Sequence, residues 1–492
     1  MSDALMLGVS GLRGVAGTSL TAEVACRYAG AFGSWVMGRR AGRGVRVVIG
    51  RDGRRGGEAF HRAAVAGLMG AGCGVVDLGV AMTPTVAVMC DEYGRRLGAG
   101  ALVAGMVATA SHNPREWNGL KCLWGEGGFE GSSVCAPAAG LAEEVVGVYR
   151  GGGGSAARWD GIGGLSEDGA GAVVHVGRVL SALESSGVCG AGGEVEGMGE
   201  GLRVVVDSVN ASGTSGAREL LESVGVEETL YVAGEGTGEF PHAPEPTREN
   251  LAGLCEAVRE SGAGVGFAQD PDGDRLAVVD ERGVYVGEEY TLALGCLALL
   301  EAARRRGERT EGMALSANLS TSRMIDDIAA RYGARVVRTA VGEAHVAGAM
   351  KREGALAGGE GNGGMIWPRV TYVRDSLSGM ALVMSLLRGG ERRLSEVVSG
   401  LPAYAIEKRK TDLASKEAAL PALERLARVY GARGGAVVDR QDGVRVDFAG
   451  ERAWVHVRAS NTEPIMRLIA EAPTAVAARA LLDEVSGVVS GG

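Results

Sequence analysis

At 492 residues the chain exceeds what one ordinary hydrophobic core fills, so three or four domains are expected. A net charge of −9 argues against a general nucleic-acid binder, while leaving room for a small basic pocket that takes an anion. The eight cysteines are scattered without a C-x-x-C pair, which speaks against a disulfide framework or a zinc site and fits a reducing cytoplasm. The start of the chain has no long apolar stretch and already contains Arg13, and no uncharged apolar run of about 18 residues follows, so no membrane span is expected.

Gly8-Val9-Ser10-Gly11-Leu12-Arg13-Gly14 reads as a glycine-rich loop with one cation; close approach to an anion and a plain surface turn are both open. Thr21 then offers an N-cap to a helix whose Val24, Tyr28, Phe32, Trp35 and Val36 form a core-facing stripe. A strand over 45–49, a helix over 57–71 and a strand over 75–78 make a right-handed parallel crossover. The apolar run 102–108 joins the same sheet and stops at Thr109-Ala110-Ser111-His112-Asn113-Pro114. Ser111 therefore lies in a loop at the carboxyl end of a strand, where α/β folds keep their chemistry. A nucleophile, a carrier of a phosphoryl group and a plain turn serine all remain open for it, and His112 is placed to donate to a phosphoryl oxygen.

Lysine is almost absent: only Lys121, Lys351, Lys408, Lys410 and Lys416 occur. A general bias toward arginine accounts for part of this. An ammonium in a desolvated pocket can lose its proton whereas a guanidinium cannot, so the isolated Lys121 marks a second candidate near Ser111.

Residues 151–200 are glycine-rich and read as a linker or surface insertion around one helix over 173–183. A second α/β unit follows, with strands over 202–206 and 265–268, the latter running into Asp270-Pro271-Asp272-Gly273-Asp274-Arg275. A third has helices over 290–306, 322–332 and 345–353 and strands over 313–317, 335–338 and 355–357, and ends in Gly358-Gly359-Glu360-Gly361-Asn362-Gly363-Gly364. Each unit delivers one polar loop from a strand end, a weak structural repeat whose loops can converge on one cleft. Beyond Pro402 the alternation in 444–448 and 454–457, between helices over 414–430 and 475–485, marks an α+β tail. After its second strand comes Arg458-Ala459-Ser460-Asn461-Thr462-Glu463-Pro464, with Arg467 beyond.

Asp270, Asp272 and Asp274 would repel one another if bare, which favours a hard divalent cation, magnesium if the chemistry concerns phosphate; a solvated acidic turn is the alternative. An EF-hand is excluded by Arg275 at the position that needs glycine. Arg458, Ser460, Asn461, Thr462 and Arg467 suit a phosphate that is held without being cleaved, and a capped turn is the alternative. Glu360 and Asn362 between glycines suit vicinal hydroxyls of a sugar, or an ordinary tight turn. No Gly-Lys pair occurs, so a P-loop nucleotide site is not expected.

In this order the loops Thr109 to Pro114, Asp270 to Arg275, Gly359 to Gly363 and Arg458 to Pro464 resemble those of the α-D-phosphohexomutases: phosphoglucomutase, phosphomannomutase and phosphoglucosamine mutase. Gly11 to Gly14 and Asn118-Gly119-Leu120-Lys121 extend the resemblance over essentially the whole chain. It implies an α/β fold: three consecutive α/β domains with mixed sheets and a smaller α+β C-terminal domain around a central cleft. The expected division is 1–165 with the phosphoserine loop, 166–286 with the metal loop, 287–401 with the sugar loop and 402–492 with the phosphate loop.

The resemblance also implies an intramolecular phosphotransfer between hexose 1-phosphate and 6-phosphate. A phosphoserine at Ser111 and a 1,6-bisphosphate intermediate would carry it, with hexose 1,6-bisphosphate as activator. One Mg2+ per chain would be held by Ser111, Asp270, Asp272 and Asp274. Lys121 would serve as general acid or base, with Arg13 and His112 at the phosphoserine. Arg275, Glu343, Glu360 and Asn362 would contact substrate, and Arg458, Ser460, Asn461, Thr462 and Arg467 would hold the non-reacting phosphate. Many members have serine where Asn362 stands, which bears on sugar choice and not on reaction class. The form of the 341–343 and 360–364 loops is most similar to phosphoglucosamine mutase-like members, so glucosamine 6-phosphate to glucosamine 1-phosphate is the expected reaction. Phosphomannomutase or phosphoglucomutase activity, a non-catalytic sugar-phosphate binder and a phosphatase are the alternatives. The expected protein is cytoplasmic, a monomer or homodimer, with a hexose phosphate as partner and neither nucleic acid nor membrane.

Overall fold

A computed structural model describes residues 5–9, 11–125, 134–189, 195–387, 390–413, 415–459 and 465–490. The first sheet contains β1 (Met6–Gly8), β2 (Gly11–Val15), β3 (Gly44–Arg51), β4 (Gly74–Val80), β5 (Ala101–Ala108), β6 (Trp117–Leu123) and β7 (Leu165–Glu167), in the order β1-β2-β6-β5-β3-β4-β7. Its centre is parallel, β5 and β4 flanking β3, and β5 is buried along its whole length. Such near-continuous apolar strands form because helices cover both faces. Val47 and Met106 pack with α1 (Ala22–Gly38), α2 (Gly57–Gly70) and α4 (Ala139–Arg150), whereas Val48 and Val103 pack with α3 (Thr83–Leu97).

Gly8 and residues 11–14 are not the surface loop their glycines suggest. They close the β1–β2 hairpin, and β2 pairs antiparallel with β6, placing Arg13 opposite Gly119. Gly11 is required there, because a Cβ would lie 2.0 Å from the Leu120 carbonyl oxygen. The 151–200 stretch is likewise more than a linker. β7 extends the first sheet beside β4, and α5 (Gly171–Ser186) sinks Val176, Val179 and Leu183 into a core shared with the second and third units.

The second sheet has β8 (Arg203–Asp207), β9 (Glu228–Ala233), β10 (Val265–Gln269) and β11 (Leu276–Asp280) in the order β11-β10-β8-β9, with α6 (Gly213–Ser223) and α7 (Ala252–Ser261). The third runs β13-β12-β14-β15, built from β12 (Ala314–Asn318), β13 (Arg335–Thr339), β14 (Ala357–Glu360) and β15 (Gly364–Ile366). Its helices are α8 (Tyr290–Arg305), α9 (Met324–Arg331), α10 (Glu343–Glu353), the fully buried α11 (Ser376–Leu387) and α12 (Leu394–Ser399). Glu360 closes β14 instead of sitting in the following loop, because residues 357–359 stay paired with β12. Glu343, expected in a loop, opens α10.

One plan recurs. β5 turns back into antiparallel β6, β10 into β11 and β14 into β15, and the three connections are the Ser111, Asp270 and Gly361 loops.

The fourth sheet is antiparallel, in the order β16-β20-β19-β18-β17: β16 (Ala405–Asp412), β17 (Ala436–Asp439), β18 (Val444–Phe448), β19 (Ala453–Ala459) and β20 (Ile465–Ala472). Val444, Val446, Val455 and Val457 face α13 (Ala419–Gly431) and α14 (Ala475–Ser490). The alternate residues Arg445, Trp454, His456 and Glu471 are also buried, and Arg445, His456 and Glu471 meet the third unit. The eight cysteines are free thiols. Among the described residues, no helix is long and apolar enough to cross a membrane.

Candidate active site

Ser111 is buried and adopts φ +50°, a left-handed conformation unusual for a residue with a side chain. Its neighbours hold it there. The Ser111 amide donates to Thr109 Oγ1 at 2.7 Å, and the Thr109 hydroxyl donates to Asp52 Oδ2 at 2.6 Å. Arg54 Nε donates to the same Asp52 oxygen at 2.8 Å, and its other nitrogens donate to the carbonyls of Trp117 and Ser111. Asp52 and Arg54 are each 1% exposed. Sequence reading passed over both; the signal was the run Arg51-Asp52-Gly53-Arg54 at the end of a buried strand.

The hairpin turn between β10 and β11 brings its three carboxylates to this serine. Ser111 Oγ donates to Asp270 Oδ2 at 2.8 Å, although the two residues lie 159 apart in sequence. Asp270 Oδ1 accepts the amides of Asp274 and Arg275, each at 3.0 Å. Asp272 Oδ2 accepts from Thr83 Oγ1 at 2.6 Å and from Lys121 Nζ at 2.8 Å. Asp274 Oδ2 accepts from Lys121 Nζ at 2.8 Å and from Arg374 Nη2 at 2.6 Å.

All three aspartates are 0% exposed, and one carboxylate oxygen from each lies within 4.8 Å of the others. Asp272 Oδ1 and Asp274 Oδ1 are buried without a hydrogen-bond partner among the described residues. Unsatisfied buried carboxylate oxygens are costly, and three carboxylates that can each bring one oxygen to a common point suit a hard cation. The residues present thus fit a magnesium ion.

The charges follow from this crowding. Burial, with Asp272 and Asp274 beside it, pushes the Asp270 carboxyl far up. Burial acts on Asp272 and Asp274 in the same sense, but Lys121 on the former and Arg374 with Lys121 on the latter hold both below the usual carboxylate range. Burial pulls the Lys121 ammonium down, yet the two aspartates outweigh it and leave the group raised. In this arrangement Lys121 is a counter-ion of the triad, not an amine ready to lose its proton. His112 Nδ1 is 3.3 Å from Ser111 Oγ, and burial together with Arg275 and Arg13 drives the imidazole down to about 3, so it is neutral at neutral pH. Arg13 Nη1 donates to Asn113 Oδ1 at 3.1 Å and reaches the serine loop through it. Arg275 pairs with Glu245 at 3.2 Å.

The residues expected to read a sugar lie against the same centre. Glu360 Oε1 accepts from Asn318 Nδ2 at 2.8 Å, and Glu360 Oε2 from Arg374 Nη1 at 2.9 Å. Arg374 Nε donates to Glu343 Oε2 at 2.7 Å, and Arg374 Nη1 lies 3.4 Å from Asn362 Oδ1. Arg374, unmarked by any motif, joins Glu343, Glu360 and Asn362 to Asp274. In the fourth unit Arg458 and Arg467 are opposite each other across β19 and β20, and Arg458 Nε is 3.4 Å from Asp442. Ser460, Asn461 and Thr462 lie outside the described residues. The other buried histidines have structural partners, His61 with Asp77 at 2.8 Å, His175 with Asp375 at 3.2 Å and His456 with Ser320 at 2.8 Å.

Four family models match in order, each described as phosphoglucomutase/phosphomannomutase: alpha/beta/alpha domain I over residues 4–135, domain II over 195–283, domain III over 293–404 and the C-terminal domain over 409–488. A probable phosphoglucosamine mutase of Methanopyrus kandleri is 35% identical over 483 residues, 98% of this chain and 97% of that protein. The chain belongs to the α-D-phosphohexomutase family. A phosphoglucomutase/phosphomannomutase of Thermococcus kodakarensis is 33% identical, with 97% of each chain covered. Among solved structures, a family protein of Burkholderia thailandensis matches with TM-score 0.79 at 25% identity over 99% of both chains. Aspergillus fumigatus N-acetylphosphoglucosamine mutase, solved with GlcNAc-6P and magnesium, shares the fold at TM-score 0.57 and 14% identity, covering 99% of this chain and 95% of that one. As a phosphohexomutase the chain is an isomerase that acts on phosphorylated hexoses. The assembled serine, acidic triad and cations have the charge and arrangement that phosphoryl transfer uses.

Proposed function

We propose that Ser111 carries the phosphoryl group of this phosphohexomutase and that glucosamine 6-phosphate and glucosamine 1-phosphate are its preferred pair. The hydrogen bond from Ser111 Oγ to the acidic triad carries the reading, because it sets a nucleophilic oxygen beside the charge that phosphoryl transfer needs. In the first half-reaction the O1 hydroxyl of the sugar bonds to the serine-borne phosphorus while the P–Oγ bond breaks, and the hydroxyl proton passes to a nearby base. In the second, after the bisphosphate turns over, Ser111 Oγ bonds to the phosphorus on O6, the P–O6 bond breaks and O6 regains a proton. Lys121 would serve in these proton transfers only once a cation takes up the charge of the triad and loosens its hold on the ammonium, with Arg13 and His112 beside the phosphate.

Asp270, Asp272 and Asp274, with the phosphoserine, would hold a magnesium ion, which when bound spreads the charge of the group in transit. Arg275, Glu343, Glu360 and Asn362 would contact the sugar, and the Arg458-to-Thr462 loop with Arg467 would hold the idle phosphate. The four modules are proposed at 1–165, 166–286, 287–401 and 402–492, and hexose 1,6-bisphosphate would prime the serine.

Support for glucosamine comes from the Methanopyrus relative, whereas the Thermococcus relative favours glucose or mannose phosphate. Rates on the 1-phosphates of glucosamine, mannose and glucose, measured side by side, decide between them; equal rates on all three defeat the glucosamine preference. Intact-mass measurement after incubation with glucose 1,6-bisphosphate should show one added phosphate that Ser111→Ala lacks. Its absence in the wild type points to a non-catalytic binder, and release of free phosphate in place of isomerised sugar points to a phosphatase.

A further inference from the structure

The third unit holds a guanidinium whose surroundings bear on sugar choice. Arg374 is 9% exposed and lies in a built niche: a Cβ on Gly364 would fall 2.2 Å from Arg374 Cδ. Its backbone is anchored by the next residue. Asp375 caps α11 by accepting the amides of Leu377 and Ser378, and it receives His175 of α5 on the other side. The fork is therefore fixed, not a mobile surface arginine.

Three edges of the guanidinium meet three carboxylates. Nε faces Glu343, from the start of α10; Nη1 faces Glu360, from the end of β14; and Nη2 faces Asp274, from the triad. Glu343 and Glu360 come from different elements, each with 9% side-chain exposure, and without a shared cation they would repel. The charge balance is uneven. Among the described residues, Asp274 is also paired with Lys121, whereas the ion pairs of Glu343 and Glu360 run through Arg374. At contact distance one guanidinium serves two carboxyl groups, with Lys121 acting on Glu343 from farther off, so carboxyl groups are in excess on this side of the site. Glucosamine carries an ammonium where glucose and mannose carry a hydroxyl, so the surplus acts on one substrate class and not on the other.

We propose that Arg374 is a specificity-determining positioning residue: it holds Glu343 and Glu360 in one geometry and sets the residual negative charge that selects an amino sugar over a neutral one. This rests on the reading of Glu343 and Glu360 as sugar contacts. Wild-type turnover of the three hexose 1-phosphates is measured first, and then the ratio of kcat/KM for glucosamine over glucose phosphate in three variants.

Arg374→Met removes the compensating charge, so the ratio should rise about tenfold while both absolute values fall. Arg374→Lys keeps the charge and loses the fork, so the ratio should stay within about twofold while KM rises for both sugars. Glu343→Gln removes the surplus, so the ratio should drop about tenfold. If Arg374→Met does not fold, the other two variants carry the test. Variants whose ratio never leaves the wild-type value, on an enzyme that turns over substrate, overturn the role of Arg374 alone. A wild type inactive on all three sugars overturns the proposed function beneath it.

Discussion

At the level of single residues, the backbone of Ser111 stands out, because φ +50° costs a side-chain-bearing residue about 1–2 kcal/mol relative to the right-handed region. Ser111→Gly relieves the conformation and Ser111→Ala does not. Both should lose phosphorylation, yet the glycine variant should be the more stable by about 0.5–1 kcal/mol in urea unfolding. An alanine variant as stable as the glycine one would show that no strain is held there. Arg54 supplies the restraint. Arg54→Met leaves Asp52 buried without its charged partner and should cost about 3–5 kcal/mol in the same measurement, with slower phosphorylation of Ser111; a loss under about 1 kcal/mol would remove Arg54 from this role. Ser111 and the three aspartates were readable because each motif is contiguous. Arg54 and Arg374 were not, since Arg54 meets Ser111 across 57 residues and Arg374 meets Asp274 across 100. In a chain so rich in arginine nothing local singles them out.

Among elements, the strand-loop-strand plan was half legible. The apolar strands leading into each loop announce themselves by composition, whereas the returning strands do not: β6 buries Asn118, Gly119 and Lys121, a pattern that reads as a polar turn. The same holds for α5, whose glycine-rich flanks suggest a linker while its inner face is core. His175 on that face is 0% exposed, with Nδ1 3.0 Å from Thr85 Oγ1 and Nε2 3.2 Å from Asp375 Oδ2. It thus ties α3 of the first unit to the cap of α11 in the third. His175→Ala should cost about 2–4 kcal/mol, from a cavity and two lost polar partners, and thermal unfolding would show it. A loss within about 0.5 kcal/mol would return α5 to the status of a dispensable insertion.

For the whole molecule, the order of the units was legible and their docking was not, because alternation in a half-buried antiparallel sheet assigns polar residues to water. The fourth sheet departs from that rule: Arg445 donates to the Leu319 carbonyl, the Arg323 amide donates to Glu471 Oε1, and Trp454 Nε1 donates to the same oxygen. His456 completes the joint, with Nδ1 2.8 Å from Ser320 Oγ and Nε2 2.6 Å from the Asp442 carbonyl. Nε2 donates to the carbonyl, and in the neutral ring Nδ1 accepts from the Ser320 hydroxyl. Burial, with Arg445 and Arg458 nearby, lowers this imidazole from 6.5 to about 4, against the smaller pull of Asp442. Between those values the unfolded chain binds a proton that the folded one refuses. The contribution of His456 is thus present above about pH 6.5 and is lost as pH falls toward 4. His456→Gln keeps a donor for Asp442 but does not titrate. Its thermal midpoint should lie below the wild type at pH 7.5, and the gap should close as the wild type loses stability between about pH 6.5 and 4.5. His112, depressed in the same direction, titrates in both proteins and cancels in the comparison. Midpoints that run parallel over the whole range would mean that the joint between the third and fourth units does not depend on the charge of His456.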